Sequence, residues 1–92
     1  MMYATRIKMR QGCKNSSTPL EIAEIYLEGC TEPGFYTKEI LHDYLKKNPK
    51  SIKVKLSPFP FLIPAESLSR EKYVRSEPNN TIMDNLLRLP KY

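Results

Sequence analysis

Five lysines within ten residues are the feature of this 92-residue chain that most strongly indicates a ligand, and no acidic residue lies among them. Lysine attracts phosphate groups over long distances without requiring a fixed geometry, so the run predicts a strip that binds a nucleic acid or a nucleotide. A solvated strand face on which lysines discourage aggregation would have the same composition, and both interpretations stay open. No aromatic residue alternates with the lysines, so the run lacks the base-stacking signature of single-strand binders. The five residues are Lys46, Lys47, Lys50, Lys53 and Lys55.

The net charge of +5 comes from the second half of the chain. Residues 1–46 carry six basic and six acidic side chains, whereas residues 47–92 carry nine basic and four acidic ones. A positive field of this kind raises the local concentration of anionic partners. Arg75 adds to it, because an arginine beside the turn that contains Asp84 could bind a phosphate or a carboxylate through two hydrogen bonds, or pair with Asp84.

A second candidate surface is the proline-rich segment 57–64, which reads SPFPFLIP. Its prolines remove backbone donors, so the segment cannot form an ordinary central strand. Its apolar side chains either cover one end of the core or form an exposed patch that binds a protein partner, as an inhibitor or adaptor of mobile-element origin would. These side chains are Phe59, Phe61, Leu62 and Ile63.

Residue types that carry catalysis or bind metals are few. Cys13 and Cys30 are separated by 16 residues and His42 is the single histidine, so a zinc site lacks donors. His42 and Asp43 are neighbours on a predicted helix and should point apart, as solvated residues. An enzyme that uses His42 ranks behind both binding functions. We therefore predict no catalytic residue, no metal and no cofactor.

Two segments alternate apolar and polar residues with the period of a half-buried strand, 3–10 and 51–56. In the first, Tyr3, Thr5, Ile7 and Met9 are predicted to face the core, and Arg6, Lys8 and Arg10 to form a row of cations on the polar face. In the second, the predicted inward residues are Ile52, Val54 and Leu56.

One helix is predicted at Lys38–Lys47, with Thr37 as its N-cap. Its expected apolar stripe consists of Ile40, Leu41, Tyr44 and Leu45. The preceding segment, 20–28, has the cap and proline of a short helix but the β-branched and aromatic residues of a strand, and we predict a strand. Segment 65–72 is expected to be a connector with one helical turn, followed by a short strand at 73–76.

The C-terminal residues carry a resemblance. The segments 73–76 (YVRS) and 81–90 (TIMDNLLRLP) resemble the closing motif of small bacterial and archaeal proteins known only as a domain of unknown function. The resemblance implies an α+β domain in which a small, mostly antiparallel sheet of order β-β-α-β-β packs against one central helix. It brings no activity, cofactor or functional residue. From the residues themselves, the leucines of 81–90 are predicted to seal the core.

Taken together, these patterns predict one α+β domain, residues 1–92, that acts as a non-enzymatic binding module. Its predicted partners are a nucleic acid or a nucleotide, or alternatively a protein, and a homodimer would add stability to so small a domain. Residues 1–12 interleave Arg6, Lys8 and Arg10 with apolar residues, unlike a signal peptide, and no run could span a bilayer. We therefore expect no membrane contact and a cytoplasmic protein.

Overall fold

The structure, a computed structural model, describes residues 2–12, 18–56, 59–77 and 85–92. Cys13, Asp84 and the turn at 78–80 lie outside the described residues. The domain is α+β with one helix packed against a sheet, which confirms the predicted fold class. Its elements are β1 Met2–Met9, β2 Ile22–Glu28, β3 Gly34–Thr37, α1 Lys38–Lys47, β4 Ile52–Val54, β5 Leu62–Glu66 and β6 Lys72–Ser76, with short 3-10 helices at Pro19–Glu21 and Asn85–Arg88.

Two sheets form from these strands. The larger has the order β3-β2-β1-β4, with β2 antiparallel to both of its neighbours and β4 parallel to β1. Helix α1 joins β3 to β4 and so crosses from one edge of this sheet to the other. Strands β5 and β6 pair as a separate antiparallel hairpin. The predicted order β-β-α-β-β therefore did not include two strands, β3 and β5.

One face of the four-stranded sheet is covered by α1, by the hairpin and by the C-terminal 3-10 helix, and their apolar side chains form a single core. Burial of these side chains is the main stabilising term of the fold. The opposite face of the sheet, which we call the outer face, has no element packed over it among the described residues. The core residues are Ala4, Ile7, Ile22, Ile25, Leu27, Leu41, Leu45, Ile52, Val54, Leu62, Val74, Leu86, Leu87 and Leu89.

Strand β1 does not alternate strictly, and this corrects the sequence prediction. A register shift between Ala4 and Arg6 leaves Thr5 as an extra residue opposite β2. An extra residue in one strand moves the side chains that precede it to the opposite face of the sheet from the one strict alternation predicts. Ala4 and Ile7 therefore both point into the core. Tyr3, predicted to face inward, instead lies on the outer face.

The bounds and the N-cap of α1 agree with the prediction, and the Thr37 hydroxyl accepts a hydrogen bond from the Ile40 amide at 3.3 Å. The predicted stripe is partly wrong, because Ile40 is 57% exposed and Tyr44 is also exposed, whereas Lys38 and His42 are buried beside Leu41 and Leu45. The helix is thus turned toward the hairpin. No helix in the described residues is long and apolar enough to cross a membrane.

His42 corrects a second prediction, since the side chain is only 2% exposed. Its Nδ1 lies 3.1 Å from Asp43 Oδ1, so the two side chains meet rather than diverge. Asp43 in turn accepts a hydrogen bond from Lys72 at 2.9 Å, and this bond together with His42 holds the pKa of the Asp43 carboxyl below its ordinary value. Through Lys72 the exposed Asp43 carboxylate connects α1 to β6, while the His42 ring is buried between them and the core.

The segment 20–28, whose sequence favours both a short helix and a strand, contains both structures in succession. Thr18 caps the 3-10 helix Pro19–Glu21, with its hydroxyl accepting from the Leu20 amide at 3.3 Å, and strand β2 follows at once. The strand prediction is confirmed. The connector predicted at 65–72 contains no helical turn, because β5 continues to Glu66 and a tight turn leads directly into β6.

Candidate functional site

The outer face of the four-stranded sheet carries cations and aromatic rings side by side. Across neighbouring strands Arg6 is opposite Tyr26, and Tyr26 is opposite Phe35. At the other edge Tyr3 is opposite Lys53. The full set is Tyr3, Arg6, Lys8, Tyr26, Phe35 and Lys53, joined by Lys55, Phe61 and Tyr92 from the adjoining segments.

The larger of two clusters on this face is centred on Arg6. Its guanidinium carbon lies 4.9 Å from the Tyr26 ring centre and 5.4 Å from that of Tyr92. The Phe35 ring meets Tyr26 edge to face at 5.1 Å and Tyr92 at 6.0 Å, and the Lys8 ammonium lies 4.8 Å above Phe35. These distances are within the range of cation–π attraction, so the cluster is continuous from β3 to β1 and the C-terminal segment.

The second cluster lies at the β4 edge. The Lys53 ammonium is 5.0 Å from the Phe61 ring centre, and Phe61 is bridged to Lys53 through the backbone. The Lys55 ammonium is 5.9 Å from the Tyr3 ring centre, and the Lys55 amide donates to the Ala4 carbonyl at 3.0 Å. Within the described residues, all five cation–π contacts of the chain therefore lie on the outer face.

The C-terminal segment brings Tyr92 to this face. The Ile7 amide donates to the Pro90 carbonyl and the Tyr92 amide donates to the Ile7 carbonyl, both at 2.9 Å, so the segment extends the sheet along β1. Three buried leucines anchor the C-terminal segment in the core, as the sequence predicted. Tyr92 itself is 61% exposed. The anchoring leucines are Leu86, Leu87 and Leu89.

The outer face is positively charged. In the part of the chain that the structure describes, its four cations form no ion pair with a carboxylate. Two carboxylates share the face, Glu24 opposite Lys8 and Glu28 opposite Tyr3, and both belong to β2. The positive charge is therefore concentrated over β1 and β4. The four cations are Arg6, Lys8, Lys53 and Lys55.

Arg10, predicted as the third cation of the β1 row, is instead held by carboxylates. It pairs closely with Glu71 and, at 3.5 Å, with Glu21. Glu71 also accepts from the buried Lys38 ammonium at 2.5 Å, and Lys38 donates to the Leu20 carbonyl at 2.7 Å. The Lys38 hydrogen bond, with Arg10 adding to it, holds the pKa of the Glu71 carboxyl below its ordinary value. This network joins α1 to the hairpin turn and is structural.

We expect Glu71→Gln to lower the Tm by several degrees near neutral pH, because it leaves the buried Lys38 ammonium without a counter-charge. The folded pKa of Glu71 lies below the unfolded one, so its contribution is complete above the ordinary carboxyl pKa and is lost as the pH falls through the folded value. The variant should therefore lose less stability on acidification than the parent. Calorimetry across pH 3–7 measures both effects, in the range where carboxyl groups titrate.

The double variant Lys38→Met, Glu71→Gln is the matched control, since it removes the buried charge together with its partner. Its Tm should recover most of the loss seen with Glu71→Gln alone. Equal Tm values for the single and the double variant would contradict this account of the network.

The predicted lysine strip is divided by the fold. Lys46 and Lys47 lie in the last turn of α1, in the layer that covers the opposite side of the sheet, and Lys50 lies in the following turn with a φ of 60°. Lys53 and Lys55 alone reach the outer face. Arg75 is elsewhere again, in β6 opposite Ile63, where its Nε donates to the Ser76 carbonyl at 3.4 Å. The pairing predicted for Arg75 with Asp84 lies outside the described residues.

The apolar segment is also divided. Leu62 is 1% exposed and belongs to the core, so it cannot contribute to a protein interface. Phe61 and Ile63 are partly buried, and Phe61 contacts Lys53 on the outer face. Phe59 is 46% exposed and has a φ of 58°, a left-handed conformation that bulky residues rarely adopt.

A cleft of about 390 Å³ opens between the sheet and α1. Met2 and Leu27 line one side and Tyr44 the other, with Cys30 and Tyr36 at one end. The Tyr36 hydroxyl donates to a backbone carbonyl at 2.5 Å, and burial, with Cys30 and Glu32 adding to it, raises its pKa. Among the described residues no group of three or more potential ligands could hold a metal ion. Most of the lining is apolar, and Cys30, Glu32 and Tyr36 supply polar groups.

Comparison of the chain with protein-family models, with curated proteins and with solved structures finds no match. The resemblance of segments 73–76 and 81–90 to a family of unknown function accordingly stays a prediction. What the chain binds must be argued from the geometry of the site, because fold class alone does not determine function.

Proposed function

We propose that this domain is a non-enzymatic module that binds a nucleic acid through the outer face of its four-stranded sheet. One observation carries the proposal: four cations on an open face form no ion pair among the described residues and are held over aromatic rings. Cations elsewhere in the fold, such as Arg10 and Lys38, are neutralised by carboxylates. Other exposed lysines of the described residues, such as Lys46 and Lys47, form no ion pair either, so what distinguishes the four cations is that each lies against an aromatic ring.

The chemistry of these side chains fits phosphate. A cation–π contact positions an ammonium or guanidinium group without neutralising its charge, so the group can still donate hydrogen bonds to a phosphate oxygen. Four strands at their usual spacing make a surface about 14 Å wide. Aromatic side chains on a four-stranded sheet can stack two or three bases. We also propose that the module is cytoplasmic, a compartment in which the Cys30 thiol would stay reduced.

The salt dependence of binding tests the proposal. Fluorescence anisotropy would follow a labelled oligonucleotide of about eight nucleotides as salt rises from about 50 to about 200 mM. If Arg6, Lys8, Lys53 and Lys55 each neutralise one phosphate of a single strand, log K against log salt should fall with a slope of about −3. Amide shifts in a parallel NMR titration should cluster on β1 and β4. No binding at the lowest salt would overturn the proposal.

A second candidate function, binding of a protein partner, is favoured by Phe59. A bulky residue in the left-handed region costs on the order of 1–3 kcal/mol, and here it holds an aromatic side chain in solvent. With Leu62 in the core, Phe59 and the exposed part of Ile63 are what remains of the predicted interface. Binding at this apolar patch would change little with salt, unlike binding at the outer face.

A further inference from the structure

We infer that the nucleic acid bound by the outer face is a single strand whose bases stack on the aromatic rings, an inference that rests on the proposed function. Rings outnumber cations on this face, and each lies within 6 Å of a cation. Stacking on aromatic rings is sequence-tolerant and requires unpaired bases, since the bases of a duplex are already stacked on one another. The five rings are those of Tyr3, Tyr26, Phe35, Phe61 and Tyr92.

The shape of the face also favours a single strand over a duplex. The major groove of a duplex admits a helix or a two-stranded ribbon, whereas the outer face is one side of a sheet four strands wide. A duplex lying on it would contact the cations through its phosphates and leave the rings unused. A single strand lying on the sheet can use both kinds of side chain.

The larger cluster offers separate stacking positions. The Tyr26 and Phe35 ring planes are 82° apart, so a base that stacks on one ring meets the other at its edge. Tyr92 is inclined by 56° to Phe35 and is the most exposed ring of the set. A base therefore stacks on a ring face that Arg6 or Lys8 does not cover, and Arg6 lies close enough to contact the phosphate beside it.

The two carboxylates on the outer face determine on which side of the face the phosphates of the nucleic acid lie. Glu24 and Glu28 on β2 repel phosphates, whereas Lys53 and Lys55 at the β4 edge attract them. Phosphates should therefore follow β1 and β4, and bases should point toward the rings of β2 and β3. This places Tyr26 and Phe35 among the stacking residues and makes them the ones to test.

The test compares Phe35→Leu with Tyr44→Leu for binding to single-stranded and duplex oligonucleotides, each as RNA and as DNA. Phe35→Leu removes a ring from the outer face but keeps its apolar bulk, and should weaken single-strand binding roughly tenfold while leaving the salt slope unchanged. Tyr44→Leu removes an exposed ring from α1, in the other layer, and should change nothing. If Phe35→Leu unfolds the domain, Tyr92→Leu replaces it, because that ring is mostly exposed.

Three outcomes separate this inference from the proposed function. Single strands, of RNA or DNA, that bind tighter than duplexes and lose affinity on ring removal would support the inference. Duplexes that bind as tightly as single strands, with ring removal silent, would overturn it and leave the proposed function standing. Absence of any binding at low salt would overturn both.

Discussion

Reversing the two lysines at the β4 edge, in the variant Lys53→Glu, Lys55→Glu, should weaken oligonucleotide binding roughly a hundredfold or more at low salt. Each lysine that contacts a phosphate contributes about a tenfold gain near 50 mM salt through release of counterions. Two contacts are lost, and two glutamates repel the strand in their place. Anisotropy titrations of the parent and the variant, with circular dichroism to confirm folding, measure the effect.

The matched control is Lys46→Glu, Lys47→Glu. Each exchange removes two units of charge, so both double variants have a net charge of +1 instead of +5. Lys46 and Lys47 are exposed on α1, away from the outer face, and their reversal should weaken binding only a few-fold through the general field. If both double variants lost affinity equally, net charge and not the outer face would determine binding, and the proposed site would be wrong.

The contrast between these pairs shows what the sequence could predict about the site. A run of lysines identifies charge, but a helix and a strand share the run, so the fold divides it. The rings that complete the outer face come from five other segments, with Tyr3 and Tyr92 at opposite ends of the chain. Strand pairing over such distances depends on register, which a local pattern does not fix.

The bulge at Thr5 is the clearest instance. Strict alternation predicted Tyr3 on the buried face with Ile7, and one extra residue moves Tyr3 to the outer face, where Lys55 contacts it. No residue type at this position signals a bulge. The sequence of β2 does indicate that Tyr26 lies on the outer face, because Tyr26 stands between two apolar residues that both face the core.

Elements set by local chemistry were predictable. The cap at Thr37, the helix Lys38–Lys47 and the strand nature of β2 follow from residues close in sequence. The rotation of α1 did not follow, because its buried side includes Lys38, whose partner Glu71 is 33 residues away, and leaves Ile40 in solvent. Helical periodicity identifies a candidate apolar stripe, whereas tertiary partners decide which side is buried.

The largest loss of stability is expected for Leu86→Ala, at the C-terminal 3-10 helix. Leu86 is completely buried in the core, and truncating a buried leucine costs about 2–5 kcal/mol through lost transfer energy and the cavity left behind. Small domains have only about 5–15 kcal/mol of stability in total, so the change should be evident. Urea denaturation followed by circular dichroism gives the free energy of unfolding of the parent and the variant.

Arg88→Ala is the control, because Arg88 lies in the same short helix with its side chain exposed, and its loss should change the free energy of unfolding by no more than about 0.5 kcal/mol. The comparison also bears on the outer face, since this segment brings Tyr92 to Arg6. If Leu86→Ala cost no more than Arg88→Ala, the segment would not be anchored in the core. Tyr92 would then be free to leave the face, and stacking would depend on Tyr26 and Phe35.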